Sequence, residues 1–373
     1  MKILILGGGL QGLSCGCSLY KSHEVSVVAS DLMSLKSFFF KRVYSDVNAG
    51  DESLFGLLEQ EHFDVIIPVS DMIVPFVSKN KVIIEKRFGS RCAVPDYEQV
   101  YQVEDKSRFM AFCENKGIPH PKTIVLTDNN LDEAASEVSF PALIKPDYSV
   151  GARGITKVNS ISELKEKYPI VSNKFGSCTL QEFIDNKEFY YNVMLYRDKS
   201  GNYLGQTVLK IVRMYPIAAG SSSCGITIEN NELLHICKDC LDKLNWAGMA
   251  DFDVLQRLDN GEYKIIEINP RVPASLRAAA ISGVNFPEII ANDALGKVVP
   301  EYKYNSGKVL RYMGIDIMWL LKSPNRFHTN PRWLKFFGKD IYYQDIYKQD
   351  PSTWWTWLVE GLGKIKNRNK KLR

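Results

Sequence analysis

No stretch of the sequence approaches the roughly 18 consecutive apolar residues of a membrane span. No internal repeat is present, and no low-complexity tract occurs before the C-terminal end. The eight cysteines are scattered, and a chain of 373 residues has no need of disulfide staples, so a reducing cytosol is expected. Cys237 and Cys240 form one C-x-x-C pair with no second pair to complete a metal site. His235 stands two residues before Cys237, a poor helical spacing for a shared ligand set, so a half-buried helix is expected there. A net excess of charge of either sign is also small. The net charge is +4, and residues 352–373 hold six basic side chains against the single acid Glu360, which leaves the body near neutral. A nucleic-acid-binding body is excluded on that ground. Lys2 ahead of an apolar run resembles a weak signal peptide. GGGLQG interrupts the run and no small-residue cleavage site follows, so a first strand is expected.

What is present begins with ILILGGGLQGL, residues 3–13. Gly7, Gly9 and Gly12 fit G-x-G-x-x-G, and Asp31 follows a second apolar run at the distance where dinucleotide-binding proteins hold a ribose. KILIL, EVSVVAS and DVIIPVS then alternate with helix-like stretches over residues 2–92, the β-α-β rhythm of an open parallel sheet. Asp71 lies just past the third strand, where ligands of such sheets collect.

The pattern changes near residue 93. Helices are expected at 97–102 and 105–116, with Gly117 as a stop and a strand after Pro121. FPALIKP is a short strand, DYSVGARGI a loop, 161–167 a helix, and CTLQEFI, EFYYNVMLYR and GQTVLKIVR are strands. AAGSSSCG, 218–225, reads as a small-residue loop: a mobile flap over substrate, or a plain surface loop. A helix at 230–244 leads to the hairpin ADFDVLQRLDNGEYKIIEINPR, and 274–296 looks helical.

The hairpin carries the chemistry. Residues two apart on a strand share a face, which groups Glu267 with Asn269 and Arg271, and Asp251 with Asp253. A three-residue loop from Asp259 to Gly261 sets Asp253 opposite Glu267 and Asp251 opposite Asn269; a two-residue loop sends the acids to opposite faces. Facing acids repel unless a cation lies between them. Two carboxylates and an amide oxygen suit Mg²⁺, with Mn²⁺ as an alternative. A solvated acidic face is the other reading of the hairpin alone.

ADFDVL and GEYKIIEINPR resemble the metal-binding hairpin of the ATP-grasp superfamily, especially its biotin carboxylase, carbamoyl-phosphate synthetase and D-aspartate ligase-like branch. EDKSRFMAFCENKGIPHPKT, ALIKPDYSVGARGI, TLQEFIDNKEFYYNV and NPRVPASLRAAAISGVNFPEII resemble other segments of that family, in its order, and GGGLQG is similar to the start of the pyrrolysine-type amino-acid ligases. The resemblance covers about residues 1–300. It implies an α/β and α+β multidomain chain: a Rossmann-like N-terminal domain at 1–92, an ATP-grasp lid subdomain at 93–180, a C-terminal ATP-grasp subdomain with the metal site at 181–300, and an extension at 301–373.

By position, the resemblance implies that Lys106 and Lys145 neutralise ATP phosphates. Gly151, Arg153 and Gly154 belong to the phosphate loop. Glu182 and Ile184 meet adenine through main-chain groups, and Glu188 accepts from the ribose. Asp253, Glu267 and Asn269 hold Mg²⁺, while Lys210, Arg213 and Arg271 stabilise the transferred phosphate. The reaction implied joins a small-molecule carboxylate to an amine through an acyl phosphate, releasing ADP and phosphate. Bulky Tyr148 and charged Arg153 depart from the small residues common in such loops, and Asp253 is one carbon shorter than the glutamate often found there. An NAD-linked oxidoreductase and a nucleotide-binding protein without turnover are the rival readings. A homodimer is common in the family. The tail places Trp354, Trp355 and Trp357 before its basic run, which suits an anionic membrane surface or a docked helix, so the cytoplasm, or the inner face of its membrane, is the expected location.

Overall fold

The computed structural model describes residues 1–148, 153–186, 189–217 and 220–356. Among these, β1 (Lys2–Leu6), β2 (Glu24–Val28), β3 (Arg42–Tyr44), β4 (Val65–Pro68) and β5 (Arg91–Cys92) form a parallel sheet in the order β3-β2-β1-β4-β5. Its central strands β1 and β4 are nearly continuous apolar runs because helices cover both faces. β3 and β5 are too short to show as strands in the sequence.

The glycine turn after β1 opens the helix Gly9–Leu19. The Asp31 carboxylate already lies at that helix N-terminus. It accepts the Gly9 N–H at 3.0 Å, the Ser34 N–H at 3.0 Å and the Ser34 hydroxyl at 2.7 Å. A Cβ on Gly8 would fall 1.8 Å from Asp31 Oδ2, and one on Gly12 would fall 2.4 Å from the Gly7 carbonyl oxygen. These glycines therefore close the helix onto the sheet, and the chain supplies its own anion where a pyrophosphate would sit. The rival dinucleotide reading of Asp31 is therefore not supported: its carboxylate caps the first helix.

Residues 97–104 and 106–116 are helical, and Gly117 ends the second helix in the left-handed region at φ +62°. A four-stranded antiparallel sheet follows, with β6 (Thr123–Leu126), β7 (Ala142–Pro146), β8 (Thr156–Val158) and β9 (Cys178–Glu182) in the order β6-β9-β7-β8. The helix between β8 and β9 is longer than expected, running from Ile161 through Pro169 to Phe175.

The third sheet is the largest. It contains β10 (Tyr190–Arg197), β11 (Tyr203–Tyr215), β12 (Ser221–Ile228), β13 (Gly248–Gln256), β14 (Tyr263–Asn269), β15 (Val309–Arg311) and β16 (Ile341–Tyr343), ordered β14-β13-β10-β11-β12-β15-β16. The small-residue stretch read as a loop is corrected from residue 221 onward: Ser221–Gly225 is strand, paired with β11 and β15. Ala218 and Ala219 lie outside the described residues. Cys237 and Cys240 are buried in the helix Asn231–Lys243, and the cysteines are free thiols.

One face of the large sheet (Val193, Val208, Phe252, Ile265) packs on helix 231–243 and helix 106–116. Its opposite face contributes Met194, Leu209 and Met249 to a core that also contains Ile3, Ile5 and Val27 of the first sheet. This shared core holds the carboxyl end of β4 against the end of β14, which positions the site.

Candidate active site

The hairpin β13–β14 sets Asp251 opposite Asn269 and Asp253 opposite Glu267, as the alternation requires. The route to that register differs from the expectation. The turn is wider, with the Arg257 N–H donating to the Glu262 carbonyl at 2.9 Å and the Gly261 N–H to Arg257 at 3.1 Å. Val254 pairs with Ile265, and a bulge between Asp253 and Val254 absorbs Ile266. The one extra residue restores the acids to a common face.

Asp253 and Glu267 are half-buried and share a hydrogen bond. Burial and the Glu267 charge push the Asp253 carboxyl well above its ordinary range. Glu267 is held down, against the effect of burial, by the hydrogen bond from Asp253 and by the nearby charges of Lys106, Lys145 and Arg271. The two facing carboxyls thus titrate as a pair, Asp253 being the harder to ionise. The Asn192 side-chain amide also donates to Asp253 Oδ1. Asp251 is almost fully buried, its Oδ1 has no hydrogen-bond partner, and burial raises its carboxyl to about 8. Among the described residues no cluster of three His, Cys, Asp or Glu is arranged to hold a metal. The donor set here is two carboxylates and the Asn269 amide, a hard-oxygen set that fits a small divalent cation taking its remaining ligands from phosphate and water.

Cations converge on these acids from separate elements. Lys145, near the end of β7, is buried, and its Nζ donates to Gln181 Oε1 of β9 at 2.7 Å. Desolvation lowers its ammonium to about 8, against the attraction of Glu267 and Asp253. Lys106 opens the helix that Asp105 caps, and its charge acts on Lys145 and Glu267. Arg271 follows β14. Its Nε and Nη2 grip the Asp71 carboxylate at 2.6 and 2.9 Å, and Nη2 also donates to Asn269 Oδ1 at 3.1 Å. The first sheet therefore reaches the site through Asp71.

Other expected residues are placed differently. Lys210 pairs with Tyr191, one position off the Asn192–Asp253 pair, so its side chain leaves the opposite face of the sheet and lies 4.2 Å over the Phe189 ring. Arg213 is fully buried. Its Nε and Nη2 bind Asp316 at 2.8 and 2.9 Å, and its Nη1 binds the Pro331 carbonyl at 2.9 Å. With every guanidinium nitrogen occupied away from the acids, Arg213 leaves the candidate set, as does Lys210. Gly154 has φ +80°, and a Cβ there would meet Phe175 and Pro146 at 2.8 Å, so packing demands the glycine; Arg153 is exposed. Glu182 gives its N–H to the Lys122 carbonyl and its carboxylate to Arg257 and the Lys122 N–H. Ile184 is buried just beyond it, where the chain crosses between sheets. Gly151 and Glu188 lie outside the described residues. Asp251 was placed on the shared face but not among the ligands, while Asn192, Tyr190 and the contact of Asp71 do not stand out in the sequence pattern. The Tyr190 hydroxyl is raised by burial and by the charges of Asp253, Asp251 and Glu267. Its two-residue spacing from Asn192 was the available signal.

A model of the ATP-grasp domain matches residues 103–275. The carbamoyl phosphate synthase large chain of Campylobacter jejuni is 25% identical over 296 residues, covering 74% of this chain and 27% of that protein. The D-aspartate ligase of Enterococcus faecium is 24% identical over 292 residues, covering 71% of this chain and 68% of the ligase. This chain thus spans about a quarter of the first relative and two thirds of the second. Among solved structures, the biotin carboxylase domain dimer of Hydrogenobacter thermophilus 2-oxoglutarate carboxylase, in complex with MgADP, ADP and bicarbonate, superposes with a TM-score of 0.69 at 16% identity, covering 83% of this chain and 73% of that one. The family match, the fold and the converging cations and acids lead to one conclusion: residues 103–275 of this chain are an ATP-grasp domain.

Proposed function

We propose that the protein is an ATP- and Mg²⁺-dependent ligase that joins a small-molecule carboxylate to an amine through an acyl phosphate. The observation that carries this is the convergence of Lys106, Lys145 and Arg271 on the facing Asp253–Glu267 pair. The relatives named D-aspartate ligase and carbamoyl phosphate synthase, and the MgADP in the Hydrogenobacter domain, support the same reading.

Asp253, Glu267 and Asn269 would hold Mg²⁺, which when bound supplies charge neutralisation to the phosphates and to the facing acids. Lys145 and Lys106 bind the nucleotide phosphates as point charges, and Gln181 fixes where the Lys145 ammonium points. A carboxylate oxygen attacks the γ-phosphorus and ADP leaves. The amine nitrogen then attacks the acyl carbon, the carbon–oxygen bond to phosphate breaks, and phosphate departs. No side-chain nucleophile is needed; the residues position the substrates and neutralise charge. Residues 1–92 are read as a Rossmann-like domain that helps form the substrate site through Asp71, with further divisions near 180 and 300. The chain is read as cytoplasmic and as a homodimer.

ATP consumption with pooled amino acids and small carboxylates tests the proposal. Phosphate release is expected only when a carboxylate, an amine and Mg²⁺ are all present. Nucleotide binding with no turnover under any pool favours a binding protein instead. In this reading Asp71 acts by positioning Arg271. Asp71→Asn is therefore expected to lower kcat about tenfold with the KM for ATP unchanged, the cost of a loosened ion pair beside the reacting groups; a kcat within about twofold of the parent would contradict that placement.

A further inference from the structure

Between the helix Met313–Lys322 and β16 the chain makes a long irregular excursion, residues 323–340. Its backbone is fastened from within. Arg213 Nη1 donates to the Pro331 carbonyl at 2.9 Å, Arg311 Nη1 to the Lys335 carbonyl at 3.0 Å, and the Tyr343 hydroxyl to the Phe336 carbonyl. Trp333 Nε1 donates to the Asp316 carbonyl at 3.1 Å, and Ser323 and Pro331 are buried. Both arginines are themselves gripped by Asp316. The buried Arg213–Asp316–Arg311 triplet is thus a pedestal under this segment.

What the pedestal presents is unusual for a surface. Phe327, Leu334 and Phe337 are 71, 72 and 88% exposed, and Leu321, at the end of the preceding helix, is 62% exposed. Elsewhere the exposed large apolar residues are mostly single or paired along the chain. Because the backbone is anchored, these side chains do not tuck inward, and water covers them unless something else does. Interleaved with them, Lys322, Arg326, Arg332, Lys335 and Lys339 are all exposed, and the one acid of the segment, Asp340, is paired with Lys308 at 2.6 Å.

We propose that this segment is a docking surface for an anionic lipid bilayer, entered at the headgroup level. The charge pattern selects that occupant. A second copy of the chain meeting this patch across a two-fold axis would set like charges against one another. A nucleic acid would use the five cations and leave the phenylalanines in water. An anionic membrane surface takes both, with apolar side chains below the headgroups and Lys and Arg among the phosphates. Among the described residues no helix is long and apolar enough to cross a membrane, so the contact is peripheral. The basic end of the chain, residues 364–373, has the same charge sign and would add to the attraction.

The test uses the full chain and sedimentation with vesicles of pure phosphatidylcholine or of phosphatidylcholine with about one third phosphatidylglycerol. Binding is expected to the anionic vesicles alone and to weaken about tenfold or more when salt rises from about 0.05 to 0.5 M. The triple variant Phe327→Ser, Leu334→Ser, Phe337→Ser removes only exposed groups. It is expected to bind at least about tenfold more weakly with its nucleotide affinity unchanged. Equal binding by parent and variant overturns the proposal, because the basic end alone would then explain it. A parent that ignores both vesicles overturns it as well, including one whose sedimentation shows a dimer that the variant lacks.

Discussion

Glu267→Gln is expected to lower ATP-dependent phosphate release by about a thousandfold or more, the scale of removing one preorganised charge partner from a phosphoryl-transfer site. The fold is expected to survive. Glu267 faces Asp253 across β13–β14, and the two side chains share a hydrogen bond. A glutamine keeps the shape and a hydrogen bond to Asp253, so the unfolding midpoint should stay about level. The charge loss acts on function because Lys106, Lys145 and Arg271 all balance against Glu267. The check pairs a phosphate-release assay with thermal unfolding. Turnover within about threefold of the parent would remove Glu267 from the site.

Asp316→Ala is expected to cost about 3–5 kcal/mol, the scale of stripping one partner from a buried ion pair. Asp316 is fully buried and accepts from Arg213 at 2.8 and 2.9 Å and from Arg311 at 3.0 and 2.7 Å. Alanine leaves two guanidiniums in the interior with no carboxylate between them. Trp319 lies 5.3 Å from the Arg213 guanidinium, and an aromatic face does not replace a counter-ion. Urea unfolding reads the loss, and turnover per folded molecule reads the location. A large fall in stability with turnover preserved separates the triplet from the catalytic site. Stability within about 1 kcal/mol of the parent would contradict its structural assignment.

Much of this arrangement was legible from residue pattern. Apolar runs marked β1, β2 and β4, Gly117 marked a helix end, and alternation put Asp253 with Glu267. The acids face each other through a wider turn and a bulge that compensate, and periodicity alone does not show a bulge. Lys210 and Arg213 were misread for a related reason. Which face a strand residue takes depends on its partner's register, and β11 breaks register on both sides of Arg213. Arg311 and Asp316 lie five positions apart, but Arg213 joins them from about a hundred positions away, so nothing local announces its partner. Asp71 was noticed as the end of a parallel strand, but its partner lies 200 residues away. The glycine turn was legible as a tight turn, while its occupant, Asp31, could have been read as readily for a ribose ligand as for a cap.

Transfer of a heavy-oxygen label tests the central claim most directly. A substrate carboxylate labelled in its oxygens is supplied with ATP, Mg²⁺ and the amine, and the released phosphate is weighed. An acyl phosphate takes its bridging oxygen from the carboxylate, and that oxygen leaves with phosphate when the amine attacks carbon. The account predicts one labelled oxygen in each phosphate released. Phosphate released without label, at the rate of product formation, would contradict it.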